Sequence, residues 1–424
     1  MDAPIDLLLR LDTPLHKFLL QVLVVLAVAK IAGRCMKLIN QPAVIGEMIA
    51  GILLGPSLFG LLIPSAHHWL FPANGLSSLG HVSQLGVLIF MFTAGAEWDM
   101  SRLRERFKST VMISQAGMLL PFLIGIGLAS FLYANYAPAG VSQFDFSLFI
   151  GISLCVTAFP VLLRIIDDRG YKGSEIATIA IACAAISDAS AWALLGVIIA
   201  AVQSQSIASA IVCALSALAY AWFLIFPGRR FIAKQAVNEL NYSRWLVVLV
   251  IAVLASAMFT EIIGLHLLFG AFLAGIAVSS NQVLRNIVEE KIEPFAGALL
   301  LPLFFAQTGL NTRIDMLSGQ EWLLCLFITL LATIGKLGGT TIASRMSGLS
   351  KPDAWRLGAL MNTRGLMELI VLAIGLQLGL ISQSLYAILV LVAIVTTVMT
   401  GPILGLIDRA SKPDFKSGIK PSAK

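Results

Sequence analysis

The sequence predicts an all-α polytopic membrane protein of about 13 transmembrane helices. Three observations carry that expectation. The first is composition: of 424 residues, 58% are hydrophobic and only 12% charged, with a mean hydropathy of +0.90. Soluble domains carry about 25% charged residues, so this chain has too little polar surface to cover a water-exposed globule. The second is the length of the apolar runs, because a helix needs about 20 residues to cross the hydrocarbon. The third is the placement of lysine and arginine between those runs.

Taken in order, the spans alternate between loops rich and poor in basic residues. The first, 16–34, ends among Lys30, Arg34 and Lys37; after 43–63, the third, 78–97, ends before Arg102, Arg104, Arg106 and Lys108. After 109–133, the fifth, 145–166, ends at Arg164, Arg169 and Lys172. After 174–202, the seventh, 205–226, is followed by Arg229, Arg230, Lys234 and Arg244. The eighth and ninth, 244–260 and 262–280, are parted only around Glu261, and Arg285 and Lys291 follow. After 295–311, the eleventh, 320–345, precedes Arg345, Lys351 and Arg356. The twelfth and thirteenth are 354–379 and 383–408, and a basic tail runs from Arg409 to Lys424. The opposite loops hold only Arg10, Lys17 and Arg313. Basic loops stay on the cytoplasmic side, so the N-terminus is expected outside and the C-terminus inside. The domain reading is a membrane domain over 1–410 and a short cytoplasmic tail over 411–424.

Several function classes fall away. The net charge of +6 is spread over short loops rather than gathered on one face, which argues against nucleic-acid binding. Cys35, Cys155, Cys183, Cys213 and Cys325 have no paired spacing, so neither disulfides nor a structural metal site is expected. No HExxH, GxSxG or Walker-type loop occurs, and an intramembrane aspartyl protease needs two facing aspartates where the spans offer one. The chain is expected not to be an enzyme and to need no cofactor.

Two segments seven spans apart share a character. The fifth reads SLCVTAFPVLLRI and the twelfth ALMNTRGLMELIV; Thr157 and Pro160 interrupt one, Thr363 and Gly365 the other. An odd offset puts them in opposite orientations, as in an inverted repeat with two unwound helices. Unwound backbone at mid-membrane coordinates ions in secondary transporters.

Five charges remain inside spans: Glu47, Asp188, Glu368, Lys336 and Arg364. Such a group costs roughly 2.5–3.5 kcal/mol on insertion scales and is a functional hypothesis by default. Asp188 lies in IACAAISDASAWALL, where residues 184, 188, 191 and 195 share a small-residue helix face. A carboxylate there holds a proton or a dehydrated monovalent cation, hardly both at once. An apolar setting favours the protonated acid, and a neighbouring cation favours the ionised one. Lys336, on the eleventh span, is a candidate partner for Asp188. Arg364 and Glu368, four residues apart, can pair with each other. Glu47, near the end of its span, reads as charge-compensating.

In the segments VIGEMIAGILLGPSLFG, LGVLIFMFTAGAEWD, TAFPVLLRI, ISDASAWALL, IGLHLLFGAFLAGI, LLLPLFFAQTGL, GKLGG and MNTRGLMELIVLAIGLQLGLIS, the chain resembles the monovalent cation:proton antiporters, in the branch of plant cation/proton exchangers and bacterial potassium-efflux antiporters. The resemblance implies a homodimer in the bacterial inner membrane. It implies a mobile core near 109–202 and 320–408, a dimer scaffold near 16–97 and 205–311, and elevator-type exchange of K⁺ or Na⁺ for H⁺. It implies that Asp188 binds the transported cation transiently, with Thr157 lending oxygen and Lys336 as the basic residue of the eleventh helix. One departure is informative. Where relatives carry Asp-Asp or Asn-Asp, this chain has Ser187-Asp188, whose hydroxyl is a further ligand candidate. A lone carboxylate cannot take up two protons, so electroneutral 1:1 exchange is expected. The alternative is a regulated potassium efflux pathway under a separate cytoplasmic subunit.

Overall fold

The computed structural model describes residues 13–39, 41–97, 107–171, 173–203, 207–235, 242–263 and 266–410. The expected tail, 411–424, lies outside the described residues, as does the basic loop carrying Arg102, Arg104 and Arg106. Among the described residues, nine helices are long and apolar enough to cross a membrane. That is what a chain in lipid requires, since every backbone polar group must find its partner inside the segment.

The contacts divide the chain into two compact units. The first takes residues 1–39, 43–102 and 192–317. Its helices are α1 (Pro14–Leu38), α2 (Ala43–Leu54) and α3 (Ala73–Ala96), and, after the polypeptide has passed through the second unit, α8 (Ile207–Phe223), α9 (Tyr242–Ile262), α10 (Leu267–Val278) and α11 (Leu301–Leu310). Small residues let these backbones touch: Gly275 of α10 faces the Phe92 carbonyl of α3, leaving no room for a side chain. Glu47 is buried on α2 in this unit.

The second unit takes residues 40–42, 103–191 and 318–424. It contains α4 (Phe107–Tyr136), α5 (Gln143–Cys155), α6 (Phe159–Asp168) and most of α7 (Glu175–Gln203). It continues with α12 (Gly319–Met346), α13 (Lys351–Met361), α14 (Leu366–Gln377) and α15 (Gln383–Ala410). Helix starts carry their own caps. Ser318 and Glu321 form a capping box on α12, Ser142 caps α5 through the Asp145 amide, and Ser350 caps α13 through the Asp353 amide. α12 packs against α4, α13 and α15. Its outer face shows Leu323, Leu326, Phe327 and Ile334, while Thr329, Lys336, Thr340 and Ser344 are buried. Apolar outside and polar inside is the polarity of a helix whose solvent is lipid.

The fifth and twelfth expected spans are each two helices. α5 stops at Cys155 and α6 starts at Phe159; α13 stops at Met361 and α14 starts at Leu366. The second break turns on Gly365, whose φ of 148° is closed to L side chains and whose missing Cβ would lie 3.1 Å from Val161 Cγ2. Gly365→Ala is expected to cost about 1–3 kcal/mol of stability. Thermal unfolding in detergent checks this, and a melting curve equal to wild type contradicts it.

At one end of this unit the α6–α7 turn and α13 are tied to α15. The Tyr171 hydroxyl donates to Asp408, and Arg356 bridges Asp408 and Asp353 at 2.9 Å each. Burial and the Asp408 carboxylate beside it push the Tyr171 phenol well up.

Candidate functional site

The two breaks are bonded to each other. The Ala158 amide donates to the Thr363 carbonyl at 3.0 Å, and the Thr157 hydroxyl reaches towards the Met361 carbonyl at 3.5 Å. Helix ends created inside a membrane leave orphan backbone groups, and here charged side chains meet them. The last carbonyls of α5 are the clearest case. Arg364 donates through Nη1 to Ser153 at 3.3 Å and through Nη2 to Leu154 at 2.6 Å, and the Lys336 ammonium donates to the Cys155 carbonyl. Two cations thus sit at the negative end of a helix dipole, where they are stabilised.

Arg364 also holds Glu368, Nη1 to Oε1 at 3.0 Å, with both side chains fully buried. Glu368 lies in the first turn of α14, the end of a helix that favours an acid. Thr397 of α15 clamps the Arg364 backbone, accepting from its amide at 3.2 Å and donating to its carbonyl at 2.6 Å. These bonds, rather than the charge pair alone, fix the position of Arg364.

Asp188 lies on α7, 6% exposed. The Phe159 backbone N–H, at the start of α6, points to its carboxylate, and Lys336 is near enough to act on it electrostatically. Its Oδ1 is buried and has no hydrogen-bond partner among the described residues. An ionised carboxylate that keeps a lone oxygen buried is costly unless a proton or a cation joins it. Asp188 therefore has the positive end of one half-helix beside it and a bare oxygen to offer.

Five of the sequence candidates, Asp188, Thr157, Lys336, Arg364 and Glu368, fall within this one unit, the last three joined through the α5 terminus. Ser187 is in the same unit but its hydroxyl lies 3.2 Å from that of Ser114 on α4, which in turn donates to the Cys183 carbonyl at 2.8 Å. Glu47 belongs to the other unit. Sequence reasoning missed Asn362, and took Thr363 only as a mark of the helix break. Both are fully buried, and neither amide atom of Asn362 nor the Thr363 hydroxyl has a partner among the described residues. Their neighbourhood with Gly365 was the available signal.

Comparison with known proteins places the chain in a family. Residues 23–407 match the family described as sodium/hydrogen exchanger, transmembrane. The chain is 38% identical over 392 residues to the Na⁺/H⁺ antiporter NhaS4 of Synechocystis, covering 91% of this chain and 96% of that protein. It is 36% identical to cation/H⁺ antiporter 17 of Arabidopsis thaliana over 97% of its own length but only 50% of the plant protein's. It is 31% identical to the K⁺/H⁺ antiporter 1 of Saccharomyces cerevisiae, covering 97% of this chain and 48% of the yeast protein. The chain thus spans about half the length of the plant and yeast relatives. The solved structure of the sodium proton antiporter MjNhaP1 from Methanocaldococcus jannaschii shares the fold, with a TM-score of 0.65, 15% identity, and coverage of 93% of this chain and 95% of that one. The apolar helices and the sequence match agree: the chain belongs to the sodium/hydrogen exchanger family of multi-pass membrane proteins.

Proposed function

We propose that the protein is a secondary antiporter that exchanges a monovalent cation, K⁺ or Na⁺, for H⁺ at Asp188. The observation that carries this reading is the buried Asp188 carboxylate with an unpartnered oxygen beside the α5–α6 break. A proton and an alkali ion compete for that oxygen, so loading one expels the other. Thr157, the first residue of the unwound stretch with a hydroxyl, supplies further oxygen. Lys336 and Arg364 neutralise the α5 terminus, and Glu368 balances Arg364. Glu47 compensates charge within its own unit. The relatives' names, which include both Na⁺/H⁺ and K⁺/H⁺ antiporters, agree with the reaction and leave the preferred ion to measurement.

Ser187 stands next to Asp188 where a second acid would be needed to carry a second proton. One carboxylate gives one proton per cation, so exchange is 1:1 and carries no net charge. A Ser187 hydroxyl already engaged with Ser114 supports a lone-carboxylate site over a two-ligand side-chain site. The full proposal is a homodimer in the bacterial inner membrane with about 13 spans in inverted repeats, N-terminus outside and C-terminus cytoplasmic. In it, one unit moves against the other to expose Asp188 alternately. The loop charge asymmetry supports the orientation, and the two compact units are what such a movement needs.

Proteoliposomes carrying a pH dye test the reaction. Adding K⁺ or Na⁺ outside proteoliposomes of the purified protein is expected to alkalinise the lumen, because each cation that enters sends one H⁺ out, at a rate unchanged by an imposed membrane potential. No cation-dependent proton movement ends the reading, and a rate that follows voltage ends the 1:1 stoichiometry.

A further inference from the structure

One face of α15 runs from the second helix break to the end of the unit. Thr397, Gly401, Gly405 and Asp408 follow one another at spacings of four, four and three, so they stack along a single stripe. Thr397 clamps the Arg364 backbone at the break. At Gly401 and Gly405 the missing side chains make room for Arg169. Its Nη2 lies 2.8 Å from where a Gly401 Cβ would stand, and its Nη1 lies 3.6 Å from that of Gly405. At Asp408 the two carboxylate oxygens are divided: Oδ2 accepts from the Tyr171 hydroxyl, and Oδ1 from Arg356 Nε at 2.9 Å.

Both donors lead back to the candidate site. Tyr171 is buried and follows α6 through a closely defined turn. Gly170 and Gly173 on either side take φ of 71° and 81°, and the Tyr171 amide donates to the Ile166 carbonyl at 3.0 Å across the helix end. The other end of α6 carries the Phe159 amide that points to Asp188, about 15 Å away for a helix of ten residues. Arg356 lies on α13, whose far end is the second break, and the Ala158 amide joins the two breaks through the Thr363 carbonyl at 3.0 Å. α6 and α13 are thus each held twice, to one another at the breaks and to one carboxylate at their outer ends. A half-helix too short to span the membrane takes its tilt from the groups that pack on it and hold its ends.

We propose that Asp408 is a positioning residue for cation binding: by fastening the outer ends of α6 and α13 to one point on α15, it sets where the Phe159 amide meets Asp188. It touches neither transported ion and acts through the tilt of the two half-helices. The inference rests on the antiporter reading and adds to it a residue about three helical turns beyond Thr397 that governs cation affinity.

The test compares Asp408→Ala, Tyr171→Phe and their double variant with wild type in proteoliposomes at fixed pH, with rates normalised to folded protein. Arg356 keeps Asp353 in all of them, so no buried cation is stranded. Apparent KM for K⁺ and Na⁺ is expected to rise about fivefold in Asp408→Ala, within the range that residues acting at a distance produce. A smaller rise is expected in Tyr171→Phe, and the maximal rate per folded protein stays near that of wild type. Because Tyr171 acts through Asp408, Tyr171→Phe is expected to add nothing in the Asp408→Ala background. A junction that only holds the fold together would lower the melting temperature and leave KM where it was. An unshifted KM in folded Asp408→Ala, or a Tyr171→Phe effect as large without Asp408 as with it, overturns the proposal. Should Asp408→Ala not fold, Tyr171→Phe carries the test alone: a raised KM supports the proposal and an unchanged one overturns it. Wild-type protein that moves no protons on cation addition removes the antiporter reading itself, a separate outcome in which cation-dependent thermal stabilisation of the same proteins still reads their affinities.

Discussion

Asp188→Asn is expected to reduce cation-driven proton movement to the level of empty liposomes. The substitution keeps the shape of the side chain and its hydrogen bond from the Phe159 amide, while removing the carboxylate proposed to trade a proton for a cation. An amide oxygen still coordinates an alkali ion weakly, but it cannot trade that ion for H⁺, so binding and exchange come apart. The predicted signature is therefore a protein that inserts and unfolds normally, shifts its melting temperature little with pH near neutrality, and leaves the lumenal dye unchanged on cation addition. A decline of at least about 100-fold corresponds to ~2.7 kcal/mol or more in the transport barrier. Wild-type exchange by Asp188→Asn would place the chemistry elsewhere, and the two helix breaks would lose their functional reading.

Arg364→Leu is expected to produce the largest loss of stability of any single change in this unit. The guanidinium meets two orphan carbonyls of α5, Ser153 and Leu154, and the Glu368 carboxylate, with every group buried. Removing one partner of a buried ion pair costs about 3–5 kcal/mol because the other charge stays behind unpaired. Here two uncapped carbonyls at membrane depth add to that. Glu368→Gln makes the contrast. Its amide oxygen still accepts from Arg364, and Arg364 keeps its carbonyls, so a loss of about 1–3 kcal/mol is expected. Thermal unfolding of the two variants in the same detergent ranks them. If Glu368→Gln proves the more damaging, the arginine is held by the carboxylate and not by the helix end. The double variant separates the contributions further: Arg364→Leu with Glu368→Leu removes the stranded charge and should recover part of the loss, but not the part due to the bare carbonyls.

Much of the fold was legible because lipid imposes simple rules on sequence. Run length marked most of the helices, and Lys37, Lys108 and Arg345 fall next to helix ends they helped to locate. Hydropathy could not distinguish one span from two half-helices, because Val156–Ala158 is as apolar as what surrounds it. Thr157 with Pro160, and Thr363 with Gly365, were the visible hints. The Arg364–Glu368 pair followed from spacing alone and is present at 3.0 Å. The sequence did not reveal where Lys336 points. Its natural partner on paper was Asp188, yet it donates to Cys155, since a backbone carbonyl exists at every residue and only a helix end makes one available. Ser187 turned towards Ser114 for a similar reason: its partner is 73 residues away on α4, and no local pattern announces it. Asn362 was passed over because an uncharged amide does not stand out in an apolar run, although burying it without a partner is itself costly.

The α5 terminus has a consequence for how the chain is made. The Ser153, Leu154 and Cys155 carbonyls receive their donors from Arg364 and Lys336, 211, 210 and 181 residues later. A ribosome delivers α5 and α6 long before either donor exists. Throughout that interval the first break has no permanent partner, so it must wait at the translocon, at the interface, or with water against its open end. Its final seat is completed only by the last quarter of the polypeptide. Truncation before Lys336 should thus leave a fragment that is recognised and degraded in the cell, whereas co-expression of the missing C-terminal helices should rescue it, because what the fragment lacks is two side chains and the helices that present them.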